Sequence, residues 1–273
     1  MNEQAIGIFD SGIGGLTCVR EMNKLLPNEN IVYFGDTARI PYGTRSRETI
    51  KLYAEQDIGF IRKHNVKMII AACGTVSSTM GSCKDIDGIP FTGVVIPAVQ
   101  AACAAARNGR IGVIGTPATI KSGAYGKAIR AIRQDTAVMG NACPMFVPMV
   151  ENGLTDKDDI IVKTMVERYL KPIKKEKVDA LILGCTHYPM LYDAIAEYMG
   201  EEVKLISAGA EAAKYALNVL TMKNMLNDSG EQGTNLFYSS DSIELFEENA
   251  RSFMGEELNG QVRAVSTDEL VKG

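Results

Sequence analysis

Two cysteines, Cys73 and Cys185, each stand directly after an apolar run, in KMIIAACGT (67–75) and VDALILGCTHYP (178–189). A thiolate near a helix N-terminus is stabilised by aligned backbone N–H groups, which predicts a pKa drawn down from about 8.5 towards neutrality. Two such thiols on opposite sides of one substrate carbon form a working pair. One removes a proton while the other, still a thiol, supplies one from the opposite face, and a stereocentre is inverted. Asp10, after IGIF, and His187, in GCTHYP, could assist proton movement on the two sides, because acid/base groups act best with pKa values near the working pH. Each residue also has an ordinary reading: Asp10 as a helix N-cap, His187 as a hydrogen-bonded turn residue, and either cysteine as a small core hydrophobe.

These side chains need a frame that brings them together, and recurring short apolar runs supply one. IGIFDSG (6–12), NIVYFGDT (30–37), KMIIAACGT and FTGVVIPA (91–98) alternate with helical patterns, as buried parallel strands alternate with covering helices. The alternation restarts with RIGVIGTPAT (110–119), TAVMGNACPMFVPMVENG (136–153), VDALILGCTHYP and EVKLISAGA (202–210). IGIFDSG resembles IGVIGTP at 111–117, and each half carries a later strand that ends in cysteine. The expected fold is therefore α/β, with two similar parallel-sheet domains related by a pseudo-twofold axis and the active site in the cleft between them. Ligands of open parallel sheets bind outside the carboxyl ends of the strands. That rule selects Asp10-Ser11, Asp36-Thr37, Cys73-Gly74-Thr75, Thr116, Glu151 and Cys185-Thr186-His187.

The pattern predicts helices from Ser46 to His64, from Thr155 as N-cap to Lys171, and between Pro97 and Gly109. Residues 223–235 read as a polar loop before a late strand, NLFYSS, and an acidic helix. The glycines of GIGG (12–15) do not fit the dinucleotide fingerprint and lack the P-loop Lys-Ser/Thr pair, so a nucleotide cofactor is not expected. They read either as a plain tight turn or as one whose N–H groups face an anion such as a carboxylate. The KKEK run at 174–177 reads as a solvated face.

Composition narrows the classes further. The chain has 273 residues, 46% hydrophobic and 23% charged, with a net charge of -4, values that argue against disorder and against a basic nucleic-acid surface. The first residues show no signal peptide, and the longest apolar run, 89–106, is interrupted by Pro90, Pro97 and Gln100, so no membrane span is expected. The six cysteines include no pair separated by two residues, and with two histidines they build no zinc site, so no metal is expected. Free thiols fit a reducing, cytoplasmic location.

IFDSGIGGL (8–16), PYG (41–43), a Cys-X-Thr after an apolar strand (73–75), FVPMVE (146–151) and GCTHYP (184–189) together resemble the glutamate racemases of the aspartate/glutamate racemase superfamily. The resemblance runs in order from about residue 5 to 213. It implies a two-base racemase without a cofactor, which makes D-glutamate for cell-wall peptidoglycan. It implies two domains, residues 1–97 plus about 207–273 and residues 98–206, with the C-terminal segment returning to complete the first. It assigns Cys73 and Cys185 as the acid/base thiols, Asp10 and His187 as their assistants, and Glu151 as a weaker candidate. Around the substrate it places Asp10, Ser11, Tyr42, Gly43, Gly74, Thr75, Thr186 and His187; Tyr42 and Gly43 come from the resemblance alone. Partners are then a small-molecule substrate, glutamate, with neither nucleic acid nor membrane, and with a homodimer left open.

Two positions depart from the family pattern. Gly74 stands where the family usually has Asn, and LISAG (205–209) stands where it often shows an Asp-Ser pair, with Ser207-Ala208 in this chain. Alternatives are a racemase for aspartate or another amino acid, and a non-catalytic protein that binds an acidic amino acid in the same cleft.

Overall fold

The computed structural model describes residues 2–81, 83–255 and 258–271. The apolar runs form strands: β1 (Ala5–Asp10), β2 (Ile31–Gly35), β3 (Val66–Ala71), β4 (Asp85–Ile86), β5 (Ile89–Gly93), β6 (Arg110–Gly115), β7 (Ala137–Ala142), β8 (Ala180–Leu183), β9 (Lys204–Ser207), β10 (Asn235–Ser239) and β11 (Gly260–Ala264). One sheet has the order β11-β10-β2-β1-β3-β5-β4 and is parallel except for the short β4–β5 pair. The other has the order β7-β6-β8-β9 and is parallel throughout. β1, β2, β3 and β8 are buried nearly end to end, because helices cover both faces of a parallel sheet and leave no solvent side to alternate with.

Within these sheets β2-β1-β3-β5 and β7-β6-β8-β9 are wound identically. The first strand of each half is central and the third lies beside it, so β1 matches β6 and β3 matches β8. The chain then returns to the first sheet, where β10 pairs with β2 and β11 with β10. The fold is thus the two-sheet α/β arrangement that the repeated pattern predicts.

Three helices join the halves. Val95–Ala105 and Ala208–Met222 pack on each other, and the latter also packs on Leu16–Leu25. Ala98, Ala102, Ala212, Ala213 and Ala216 are buried there, and such small side chains let the helix axes come close. Among the described residues no helix is long and apolar enough to cross a membrane.

Some helix ends differ from the expectation. Ser46 caps Arg47–Arg62 as predicted, its hydroxyl accepting the Thr49 N–H at 3.2 Å. The later helix is capped by Asp159 and not by Thr155, and runs Ile160–Lys175. Asp159 Oδ1 accepts the N–H groups of Ile161 and Val162 at 2.6 and 3.3 Å, and a carboxylate there also meets the positive end of the helix dipole. Pro172 lies inside that helix without ending it. The alanine-rich helix starts at Val95, two residues before Pro97, and stops at Ala105. A proline in the first turn lacks only an N–H that has no helical acceptor, so it marks the first turn and not the first residue.

Candidate active site

The carboxyl ends of the two sheets face each other across a cavity of about 350 Å³. Both cysteines stand two residues past the end of a strand. Cys73 follows β3 and caps the helix Gly74–Met80, and Cys185 follows β8. Ser11, Tyr42, Gly43, Gly74, Thr75, Thr116, Glu151, Thr186 and His187 line the same cavity. Asp10 does not. It is buried one layer behind Ser11 and Gly12, and its Oδ2 accepts the Gly12 N–H at 3.0 Å. Asp36 and Thr37 turn away from the cavity, Thr37 to the Ser239 hydroxyl at 2.8 Å. A wider cleft of about 790 Å³ is lined by Asp179, Glu197 and Lys204 and, among the described residues, by no thiol or histidine. The chemistry therefore belongs to the smaller cavity.

Burial reverses the expected acidity of Cys73. Desolvation and then the charge of Asp10 push this thiol up to about 12, against the Ser11 side chain and the Val76 N–H. The helix has only seven residues, so its few aligned N–H groups do not offset loss of water around a thiolate. Cys73 is therefore held as a thiol, and its Sγ donates to Ser11 Oγ at 3.5 Å.

The Cys185 side differs. His187 Nδ1 lies 3.9 Å from Cys185 Sγ and 3.3 Å from Thr186 Oγ1, while Nε2 lies 3.1 Å from Glu151 Oε1. Burial opposes charge on the imidazole, yet its bonds to Cys185 and Glu151 outweigh that and hold its pKa up to about 10. Phe253 meets the ring edge-on, with centroids 5.3 Å apart. The cavity thus pairs a neutral thiol with a thiol beside an imidazolium. Asp10 is also pushed up, by burial first, with His187 and the Gly12 N–H pulling back. Among the described residues its Oδ1 has no hydrogen-bond partner.

Contacts across the two halves fix this geometry. The Thr75 and Thr116 hydroxyls lie 2.9 Å apart, and the Thr17 hydroxyl reaches the carbonyls of Gly14 and Thr186 at 2.9 and 3.0 Å. A Cβ on Gly14 would lie 2.3 Å from Thr186 Oγ1 and 2.6 Å from the His187 ring. The Gly12 N–H is taken by Asp10. Gly14 therefore serves close packing of the histidine turn, which the sequence alone does not reveal.

Two residues of the site escape the sequence reading. Cys143 lines the cavity and its carbonyl accepts the Tyr188 hydroxyl at 2.9 Å, tying the two turns together. It directly follows β7, so the strand-end rule that selected Cys73 applies to it too. Its thiol is pushed far above the usual range, by burial first. Phe253 comes from the returning C-terminal segment, and no local pattern points to it.

Position 74 has no room for the Asn that the resemblance leads one to expect. A Cβ there would lie 2.1 Å from the Gly184 carbonyl oxygen, a backbone atom that cannot swing aside. Gly74 thus lets the two cysteine-bearing turns touch. Gly74→Ala is expected to cost about 1–3 kcal/mol of stability or to wedge the turns apart. Thermal melting and kcat/KM should both fall, the latter about tenfold, and Gly74→Asn should do no better. Ser207, the other departure, caps Ala208–Met222 through the Ala210 N–H at 3.5 Å and does not line the cavity.

Residues 6–216 match the Asp/Glu/Hydantoin racemase family model. A glutamate racemase from Geobacter metallireducens is 42% identical over 266 residues, covering 97% of each chain. A glutamate racemase isoform from Bacillus anthracis superposes with a TM-score of 0.92 at 35% identity, covering 98% of this chain and 99% of the other. A glutamate racemase from Francisella tularensis in complex with D-glutamate gives a TM-score of 0.88 at 38% identity, with coverage of 98% and 99%. Agreement in sequence along nearly the whole length, and in fold, establishes that the chain belongs to the Asp/Glu/Hydantoin racemase family.

Proposed function

We propose that the protein interconverts L- and D-glutamate by a two-base mechanism, with Cys73 and Cys185 as the bases. The observation that carries this reading is the pair of cysteines at equivalent strand ends, opening from opposite halves into one cavity. As a thiolate, one sulfur takes the proton on the substrate α-carbon, and the electron pair of that C–H bond stays on carbon. The thiol on the other face then delivers its proton to that carbon, which leaves the thiol and thiolate exchanged. His187, oriented by Glu151, supports negative charge on Cys185, and Asp10 stands on the Cys73 side as a buried acid. The hydroxyls of Ser11, Thr75 and Thr186 and the Tyr42-Gly43 turn surround the amino acid. Among the described residues no lysine lines the cavity to form a Schiff base with pyridoxal, and the reading uses the two thiols alone as acid and base.

The two domains that enclose the substrate are, on this reading, residues 1–97 with about 207–273, and residues 98–206. The enzyme acts in the cytoplasm, and its D-glutamate supplies cell-wall peptidoglycan. The relatives named above support glutamate as substrate, and the tight Gly74 turn still offers N–H groups at a helix start to a carboxylate. A panel of amino acids followed by chiral chromatography tests this. Glutamate should give a kcat/KM at least tenfold above aspartate and neutral amino acids; a preference for any of those would overturn the assignment.

A further inference from the structure

Behind the cavity wall formed by Pro41, Tyr42 and Gly43 lies a buried polar cluster that the proton transfers do not use. Asp36 follows β2, Arg39 and Tyr42 sit on two single turns after it, and Asp57 comes from the helix Arg47–Arg62. Both carboxyl groups are inaccessible to solvent. Arg39 Nε donates to Asp36 Oδ2 at 2.6 Å and Nη2 to Asp57 Oδ1 at 3.1 Å, while the guanidinium lies 4.2 Å from the centre of the Tyr53 ring. The Ser240 hydroxyl donates to Asp36 Oδ1 at 2.9 Å. The Tyr42 hydroxyl is bonded to Asp36 Oδ2 and also lies 3.2 Å from Asp57 Oδ2.

Counting hydrogens decides the protonation. A phenol has one hydrogen, so Tyr42 cannot donate to both carboxyls. With its hydrogen on Asp36, that group accepts from Arg39, Tyr42 and Ser240, whereas the Tyr42–Asp57 contact is left as two oxygens without a hydrogen. Two carboxylates against one guanidinium would also leave a net negative charge in a dry site, which is costly. One added proton removes both problems, and because Asp36 also accepts from Arg39 and Ser240 and is the better-stabilised carboxylate, it belongs on Asp57 Oδ2, donated to the Tyr42 oxygen.

We propose that Asp57 is a positioning residue that keeps its proton at neutral pH and donates it to Tyr42, which fixes the Pro41–Gly43 wall of the substrate cavity. Burial pushes its carboxyl well above the usual range and the Asp36 charge adds to this, with Arg39 pulling back. The consequence for catalysis rests on the racemase reading, because Tyr42 and Gly43 are the residues that this cluster presents to the substrate.

An asparagine reproduces a protonated aspartate, since its carbonyl can accept from Arg39 and its amide can donate to Tyr42. Asp57→Asn should therefore keep the melting temperature within about 3 °C and KM within about twofold of the parent's values. Asp57→Leu lacks the donor and should raise KM about tenfold while kcat changes less than threefold. Asp36→Asn should raise KM at least fivefold more than Asp57→Asn, because it removes the buried carboxylate charge that pairs with the Arg39 guanidinium. The infrared difference between the parent protein and Asp57→Asn at neutral pH should contain the carbonyl band of a protonated carboxyl. No such band, or an Asp57→Asn variant as impaired as Asp57→Leu, overturns the proposal. A chain that racemises no amino acid yet shows the band refutes the racemase reading and leaves the proton assignment standing.

Discussion

Cys73→Ala and Cys185→Ala should each lower kcat for racemisation by about a thousandfold or more, in both directions. A positioned acid or base contributes about 10²–10⁴ in rate, and inversion uses one on each face of the α-carbon. Losing either sulfur leaves a carbanion that can be formed or quenched from one side only. The effect should be specific to these two thiols. Cys103, on the helix Val95–Ala105, does not line the cavity, so Cys103→Ala should keep activity within about twofold. Both sets of variants can be compared by circular dichroism of the glutamate solution, with thermal melting as the check on folding. A Cys103 variant as inactive as the Cys73 variant would show that the wrong sulfurs have been assigned.

His187→Asn should lower kcat about a hundredfold with a smaller change in KM. The imidazolium is the cation beside Cys185 Sγ, and without it negative charge on that sulfur has no partner in a buried site. The pH profile separates this role from a merely structural one. The His187 pKa is held up to about 10, so its charge is present below that pH and is lost as pH rises through it. The parent enzyme should therefore lose kcat above about pH 10. The Cys73 thiol stays protonated to about 12, so its ionisation does not produce that limb. In the variant the limb should be absent, and a limb that persists unchanged would assign it to another group.

Much of the site is legible in the sequence because strand ends are. Cys73, Thr75, Thr116, Cys185, Thr186 and His187 each follow a run of buried apolar residues, and a parallel sheet delivers all such positions to one edge. What depends on contacts between distant segments is not legible. The helix start after Cys73 is visible in the sequence, but the burial that overrides it comes from packing in one cluster with residues distant in the chain, Phe9 and Tyr42 among them. Phe253 reaches His187 only because the chain returns to the first sheet, and Asp57 meets Asp36 only through the packing of a helix on β2. Thr155 and Asp159 are both good capping residues, and the choice between them is made by how the chain leaves the turn before the helix.

Turnover of L-glutamate in heavy water tests the central claim most directly. The thiol that donates to the α-carbon exchanges its hydrogen with solvent, so D-glutamate formed in the first turnovers should carry deuterium at that carbon, as read by mass spectrometry or proton NMR. Two bases on opposite faces predict solvent deuterium in the inverted product, while substrate not yet converted keeps its original hydrogen. D-glutamate that retains the substrate's own α-proton would mean that a single group moved it across the carbon, and would contradict the two-thiol account.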